Sequence, residues 1–288
     1  MWVVAAILHW LWDHRVALIG TLLPASALAS VGVYYRQKLS YVVEGILFAL
    51  NRPIAHALAA SLSLKRYCSL LLTDDVLLLR VASTSDVTLN IDQIYVTLGL
   101  EGAGGEHLYT HETLLETETL NTQGRRIRIV GDPGAGKTTL SKRLLVDACR
   151  TALKDPRHAR FPIRVELRTL EPPKDPGNDW LFQVLRDRAT DNNAYRMADC
   201  FDSYASKSGL LVILDGLDEV ASNNYPRVRD ALIVLKSHLD RIGNQNVAIL
   251  TMRTQFHQQV RADFQDAFPR TLTARPFTNS DIYDFLSR

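Results

Sequence analysis

Nine residues, Gly131-Asp132-Pro133-Gly134-Ala135-Gly136-Lys137-Thr138-Thr139, restrict this chain more than any other part of it. They fit G-x-x-x-x-G-K-[ST], the phosphate-binding loop of nucleoside triphosphatases. Ile127-Arg128-Ile129-Val130 just before them reads as a short β-branched strand, and Leu140 to Val146 just after them carries apolar residues at helical spacing. Strand, glycine turn and helix are the context the motif requires. The glycines keep side chains out of the loop, so successive backbone N–H groups can wrap a β-phosphate at a helix N-terminus. Lys137 is placed to reach the β/γ-phosphate oxygens, and the Thr138 hydroxyl to ligate Mg²⁺. Gly131 to Thr139 are therefore all expected at the nucleotide, which the motif alone leaves as ATP or GTP.

A second stretch answers the first about seventy residues on. Leu210-Leu211-Val212-Ile213-Leu214 is a continuous apolar run of the kind a central parallel strand needs, and it stops at Asp215-Gly216-Leu217-Asp218-Glu219. A carboxylate at the C-terminal tip of such a strand sits where these sheets bind ligands. Asp215 is expected to hold Mg²⁺ through water, with Asp218 and Glu219 as candidates to polarise the attacking water. The bland alternative is that both acids merely open a helix, where the macrodipole favours them. Val247-Ala248-Ile249-Leu250-Thr251, followed by Met252-Arg253-Thr254, is another buried strand with a cation at its tip. Arg253 is a candidate to sense the γ-phosphate, or else a surface ion-pair partner.

From residue 125 onward strand and helix signals alternate, which predicts an α/β fold of the P-loop type: a parallel sheet with helices on both faces. The signals place helices at 139–154, 178–190, 197–207, 226–241 and up to about 264, and strands at 163–167, 210–214, 246–252 and 271–275. A last helix covers 279–287. Upstream, residues 76–81 and 87–100 read as strands or extended segments, ending in the loop Gly102-Ala103-Gly104-Gly105. His107 and His111 lie four apart, but no third ligand accompanies them, so they read as surface histidines.

The first residues are unlike the rest. Val16 to Tyr35 is a run of 20 residues without a charge, enough to cross a hydrocarbon core of ~30 Å at ~1.5 Å per residue. Trp10 and Trp12 flank one end and Tyr34 and Tyr35 the other, as interfacial rings do. A buried core helix and a cleaved secretory signal (Ala27-Leu28-Ala29) are the alternatives to an uncleaved anchor. Arg36, Lys38, Arg52, Lys65 and Arg66 follow the run and only Arg15 shortly precedes it, so the C-terminal bulk is expected in the cytoplasm, behind a single span. Residues 41–64 are apolar but interrupted by Glu44, Arg52, Pro53 and His56. They read as amphipathic helices lying on the membrane or packing under the next domain, with a second span as the alternative. The expected division is an anchor at 1–38 with its helix at about 16–35, a connecting region at 39–85, and a nucleotide-binding domain at 86–288 whose core is 125–288.

Net charge is +2, from 33 basic and 31 acidic side chains, so the basic excess of nucleic-acid binders is missing and no nucleic acid is expected as a partner. The three cysteines, Cys68, Cys149 and Cys200, match no metal or redox spacing and read as reduced core or surface thiols. No N/T-K-x-D guanine-reading motif follows Asp215, which disfavours a small GTPase.

Taken together, G-D-P-G-A-G-K-T-T, then L-V-I-L-D-G-L-D-E-V, then a hydrophobic strand ending T-M-R resemble the NACHT family of STAND signalling NTPases. Asn90 to Leu98 is similar to the run before the nucleotide loop in bacterial members, and Ala274-Arg275-Pro276-Phe277 to the end of their core. The resemblance covers roughly residues 86–288. It implies binding of ATP or GTP with Mg²⁺, slow hydrolysis, and a nucleotide-controlled switch in self-association, hence a homo-oligomer answering a protein trigger or sensor. Bacterial relatives of this layout suggest defence signalling at a membrane. Met252 stands where the family usually has serine, and Thr254 where it often has proline. Helical, winged-helix and sensor regions normally follow such a core, so the expectation is a fragment or a reduced protein sensing through a partner. The rival reading is a nucleotide-binding scaffold that does not hydrolyse.

Overall fold

The computed structural model describes residues 52–73, 78–82, 85–102, 105, 108–116, 119–120, 124–175, 177, 179–190 and 197–286. The expected span at 16–35 and His107 lie outside them. The chain divides into two compact units, Met1–Ala55 and His56–Arg288, and every described strand belongs to the second. Among the described residues no helix is long and apolar enough to cross a membrane.

The described chain opens with helix α1 (Arg52–Thr73), followed by the antiparallel hairpin of β1 (Leu78–Ala82) and β2 (Ser85–Asn90). The extended reading of 87–100 holds over 87–90 and fails at 91–94. There the Asn90 side chain accepts the Asp92 N–H at 2.9 Å and starts the one-turn helix α2 (Ile91–Ile94). Then come β3 (Leu100–Gly102), β4 (Leu108–Tyr109) and the short helix α3 (His111–Leu114).

The alternating part has the expected order. It runs through β5 (Arg126–Gly131), α4 (Lys137–Lys154), β6 (Phe161–Glu166), α5 (Trp180–Thr190), α6 (Met197–Ser206) and β7 (Leu210–Asp215). It continues with α7 (Tyr225–Ile242), β8 (Val247–Arg253), α8 (Thr254–Val260), β9 (Arg270–Ala274) and α9 (Asn279–Leu286). A turn of 3-10 helix at Ala262–Phe264 replaces the end of the expected helix after β8.

One sheet gathers seven strands in the order β4-β3-β9-β5-β8-β7-β6. The five from β9 to β6 are parallel, but β3 pairs antiparallel with both β9 and β4, so the sheet is mixed rather than wholly parallel. It also draws on residues before 125. All residues of β5 and β7, and all of β8 but Arg253, are buried, as befits strands covered on both faces. Leu140, Leu144 and Leu145 point the inner face of α4 into that core.

Polar residues fix the register where apolar packing cannot. Asn246, 1% exposed, accepts the Leu210 N–H and donates to the carbonyls of Ala205, Leu239 and Gly243 at 2.7–3.0 Å. One side chain thus sets the starts of β7 and β8 together, with each bond contributing about 1 kcal/mol. In α1, Leu64, Tyr67 and Cys68 are buried, Tyr67 stacks on Phe161 of β6 at 4.7 Å, and the Cys200 thiol donates to the Ala60 carbonyl. Residues from 57 onward therefore pack into the nucleotide-binding unit, the second of the two fates expected for an amphipathic 41–64. All three cysteines are free and buried. His111 is buried too, not a surface residue, with its ring edge-on to Tyr95.

Candidate functional site

The strand tips decide the geometry. The loop after β5 and the acidic turn after β7 are separated by one strand, β8, whose residue Arg253 lies in register with Gly131. Phosphate loop, arginine and aspartate therefore come out side by side on one edge of the sheet, at the carboxyl ends of parallel strands.

Gly134 and Gly136 each have φ of +80°, a left-handed conformation that only glycine adopts without strain. Gly136 ends the loop as the N-cap of α4, so the helix begins at Lys137 itself. A Cβ on Gly131 would stand 2.9 Å from Ala274 Cβ, so β5 and β9 close around a position with no room for a side chain. Lys137 Nζ donates to the carbonyls of Gly131 and Asp132 at 2.7 and 3.0 Å, folding the ammonium over the loop. Burial pulls its pKa below the ordinary lysine range, aided by Arg253, while Asp218, Asp132 and Asp215 pull the other way. Asp132, Pro133 and Gly134 are exposed along the loop, as is Thr138, whereas Ala135, Gly136 and Thr139 are half-buried. A bare main-chain cradle, a lysine folded over it and a threonine at its mouth fit a nucleotide polyphosphate.

Asp215, 5% exposed, has both oxygens engaged. Thr251 Oγ1 donates to Oδ1 at 2.6 Å, and Arg164 Nη2 donates to Oδ2 at 2.6 Å. The same Thr251 oxygen accepts the Gly216 N–H at 2.9 Å and so ties the turn after β7 to β8. Thr138 and Asp215 are the expected pair for Mg²⁺, one hydroxyl and one carboxylate, and such oxygen donors suit a hard cation.

Asp218 and Glu219 part company. Asp218 accepts from the Arg253 backbone N–H at 3.0 Å and from Arg253 Nε at 2.8 Å. Glu219 is more exposed, 3.6 Å from Arg168 and close over Gly216, the left-handed N-cap of the 3-10 turn Leu217–Glu219.

Five further residues belong to this cluster. Arg164 of β6 donates to Ser141 Oγ of α4 at 2.8 Å and to Glu166 at 3.0 Å, besides its bond to Asp215. Burial alone would raise the Glu166 carboxyl, but Arg164 and Arg168 together hold it below the usual range. Ser141, Arg164, Glu166 and Arg168 belong to no motif, and Thr251 stands in the T-M-R strand end without a role assigned to it there. The one signal in the sequence for Arg164 is a charge set between the apolar Ile163 and Val165 of β6.

A family model, NACHT domain, matches residues 125–288. Among solved structures, the Orc1 protein of Aeropyrum pernix in complex with DNA is similar at 16% identity and a TM-score of 0.42. The alignment covers 62% of this chain and 47% of that one, so the chain spans about half the length of that structure. No curated protein matches the chain. With the domain match covering more than half of its residues, the chain belongs to the NACHT-domain family of nucleotide-binding P-loop NTPases.

Proposed function

We propose that this chain is a nucleotide-controlled switch that binds ATP or GTP with Mg²⁺ and hydrolyses it slowly. The observation that carries the reading is the convergence of Lys137, Thr138, Asp215 and Arg253 on one sheet edge, with β8 between the loop and the acid. The cation, when bound, neutralises charge on the β- and γ-phosphate oxygens. The chain's own groups do the rest. Backbone N–H groups of Asp132 and of Gly134 to Lys137 hold the β-phosphate (Pro133 has none to give), and Lys137 leaves the two carbonyls for the phosphate oxygens. Thr138, and Asp215 through water, would hold the metal. Glu219, the less engaged of the two acids, orients water, while Asp218 aims Arg253.

The wider role is a proposal as well. The uncharged run at 16–35 anchors the domain to a membrane with the nucleotide site in the cytoplasm, and nucleotide state alters self-association in a signalling or defence response. Support for the anchor is the length of the run and its aromatic flanks.

A second reading has its own observation. Arg253 is clasped by Asp218 and Asp215 by Arg164. A site whose charges satisfy one another suits a scaffold that holds nucleotide without turning it over.

Radiolabelled nucleotide binding and single-turnover hydrolysis test both. The switch reading requires that Lys137→Ala abolish binding and that Asp215→Ala impair Mg²⁺-dependent turnover. Unchanged binding and turnover in both variants would refute it. Bound triphosphate persisting for hours on a folded wild-type chain would favour the scaffold.

A further inference from the structure

Arg164 is buried in the nucleotide site, yet the phosphate-loop chemistry does not call for it. Its side chain is 11% exposed, and every guanidinium nitrogen has a partner: Nε on Ser141 Oγ at 2.8 Å, Nη1 on Glu166 Oε1 at 3.0 Å, Nη2 on Asp215 Oδ2 at 2.6 Å. Glu166 and Asp215 are register partners on adjacent parallel strands, so two carboxylates stand side by side with one cation between them. Thr251 already holds the other oxygen of Asp215. Of the other cations nearby, Lys137 spends its hydrogen bonds on loop carbonyls, Arg253 is held by Asp218, and Arg168 by Glu166.

We propose that Arg164 is a positioning residue that competes with the divalent cation for Asp215, so that metal loads only together with a polyphosphate. The proposal rests on reading Asp215 as the metal carboxylate. Its charge already balanced by the guanidinium, Asp215 offers little attraction to a free cation. A polyphosphate in the loop supplies the missing negative charge, and the incoming metal then displaces Nη2. Glu166 and Ser141 keep hold of Arg164 when it lets go, so the exchange needs no large movement. Because Ser141 lies one turn beyond Thr138 in α4, and its hydroxyl donates to the Thr138 carbonyl at 2.9 Å, the displaced arginine stays linked to the helix that carries the metal hydroxyl.

The test is Mn²⁺ binding to the full chain, followed by electron paramagnetic resonance with Mn²⁺ alone and with Mn²⁺ plus ADP. Arg164→Gln should bind Mn²⁺ without nucleotide at least roughly tenfold more tightly than wild type, since Asp215 loses its counter-charge while neighbouring Glu166 keeps only Arg168. Arg164→Lys, which keeps the charge, should stay near wild type. Adding Asp215→Asn to Arg164→Gln should erase the gain. No tightening in Arg164→Gln, or a gain that survives Asp215→Asn, overturns the proposal. If Asp215→Asn alone leaves Mn²⁺ binding with ADP unchanged, the metal role of Asp215 itself fails, which is a separate result. Should Arg164→Gln not fold, the nitrogen-15 resonance of Arg164 Nε in wild type decides. It should shift with Mg²⁺ plus ADP and stay put with Mg²⁺ alone, and any other pattern overturns the competition.

Discussion

Thr251 and Asp215 share a 2.6 Å hydrogen bond between two neighbouring parallel strands, in a place where both side chains are almost wholly buried. The hydroxyl that donates to the carboxylate also accepts the Gly216 N–H, so it orients the acid and shapes the turn behind it. Thr251→Val keeps the volume and removes both bonds. An unsatisfied buried N–H and carboxylate oxygen should cost about 1–3 kcal/mol. Denaturant unfolding measures that loss, and Mg²⁺-dependent turnover should fall with it.

Lys137 donates only to main-chain carbonyls of its own loop. Its removal should therefore spare the fold while abolishing detectable nucleotide binding, a loss of at least on the order of a hundredfold, the size of a lost pair of charge-assisted contacts. Fluorescent-nucleotide titration alongside a thermal melt separates the two effects. A large fall in melting temperature for Lys137→Ala would show the lysine to be structural.

Asp218 and Arg253 are bound both by side chain and by backbone, and Asp218 is the buried member. Asp218→Ala and Arg253→Ala should then be non-additive in turnover, with a coupling of about 1 kcal/mol in a double-mutant cycle. Strict additivity would mean that Asp218 acts on water rather than through the arginine.

Burial holds the His111 pKa below 6.5, with Arg143 adding to the effect and Asp147 and Glu112 opposing it. Above pH 6.5 the histidine is neutral folded or unfolded and contributes nothing to pH dependence. As pH falls through 6.5 the unfolded chain takes up a proton first, so stability is lost until the lowered folded value is passed. Unfolding midpoints at pH 7.5 and 5.5 should differ more in wild type than in His111→Phe, which keeps the ring against Tyr95.

Gly131 closes against Ala274 with no space for a methyl group. Gly131→Ala should push the ends of β5 and β9 apart, at a cost of about 1–3 kcal/mol. Calorimetric unfolding reads the cost directly. An unshifted melting temperature would mean that the two strand ends give way freely.

Much of the nucleotide site is legible because its parts are local. Gly131 to Thr139 carry loop chemistry within nine positions, and Leu210 to Asp215 carry burial and charge in one strand. The alternation of elements after residue 125 likewise rests on periodicity that survives into the folded chain. What sequence hides depends on partners far along the chain. Arg164 shows no role until β6 is set beside β7, which brings Asp215 to it. His111 looks exposed because a lone histidine near a glycine loop has no visible cover, whereas Tyr95 and α4 supply it. The antiparallel β3 and β4 escape notice because strands of three and two residues are too short to show a period. Nor can motifs reveal that β8 lies between the strands leading to the loop and to the acid.

That interposed strand acts as a gauge. With inter-strand spacings of roughly 4.8 Å, loop strand and acid strand stand about 9.5 Å apart, a width set by backbone hydrogen bonds rather than by any side chain. The jaws that grip phosphate and metal thus have a fixed bite, and tuning must come from what lines them. Substitutions along β8 that leave its ladder intact should alter grip and not gap, which makes Thr251 and Arg253 the natural dials of this machine.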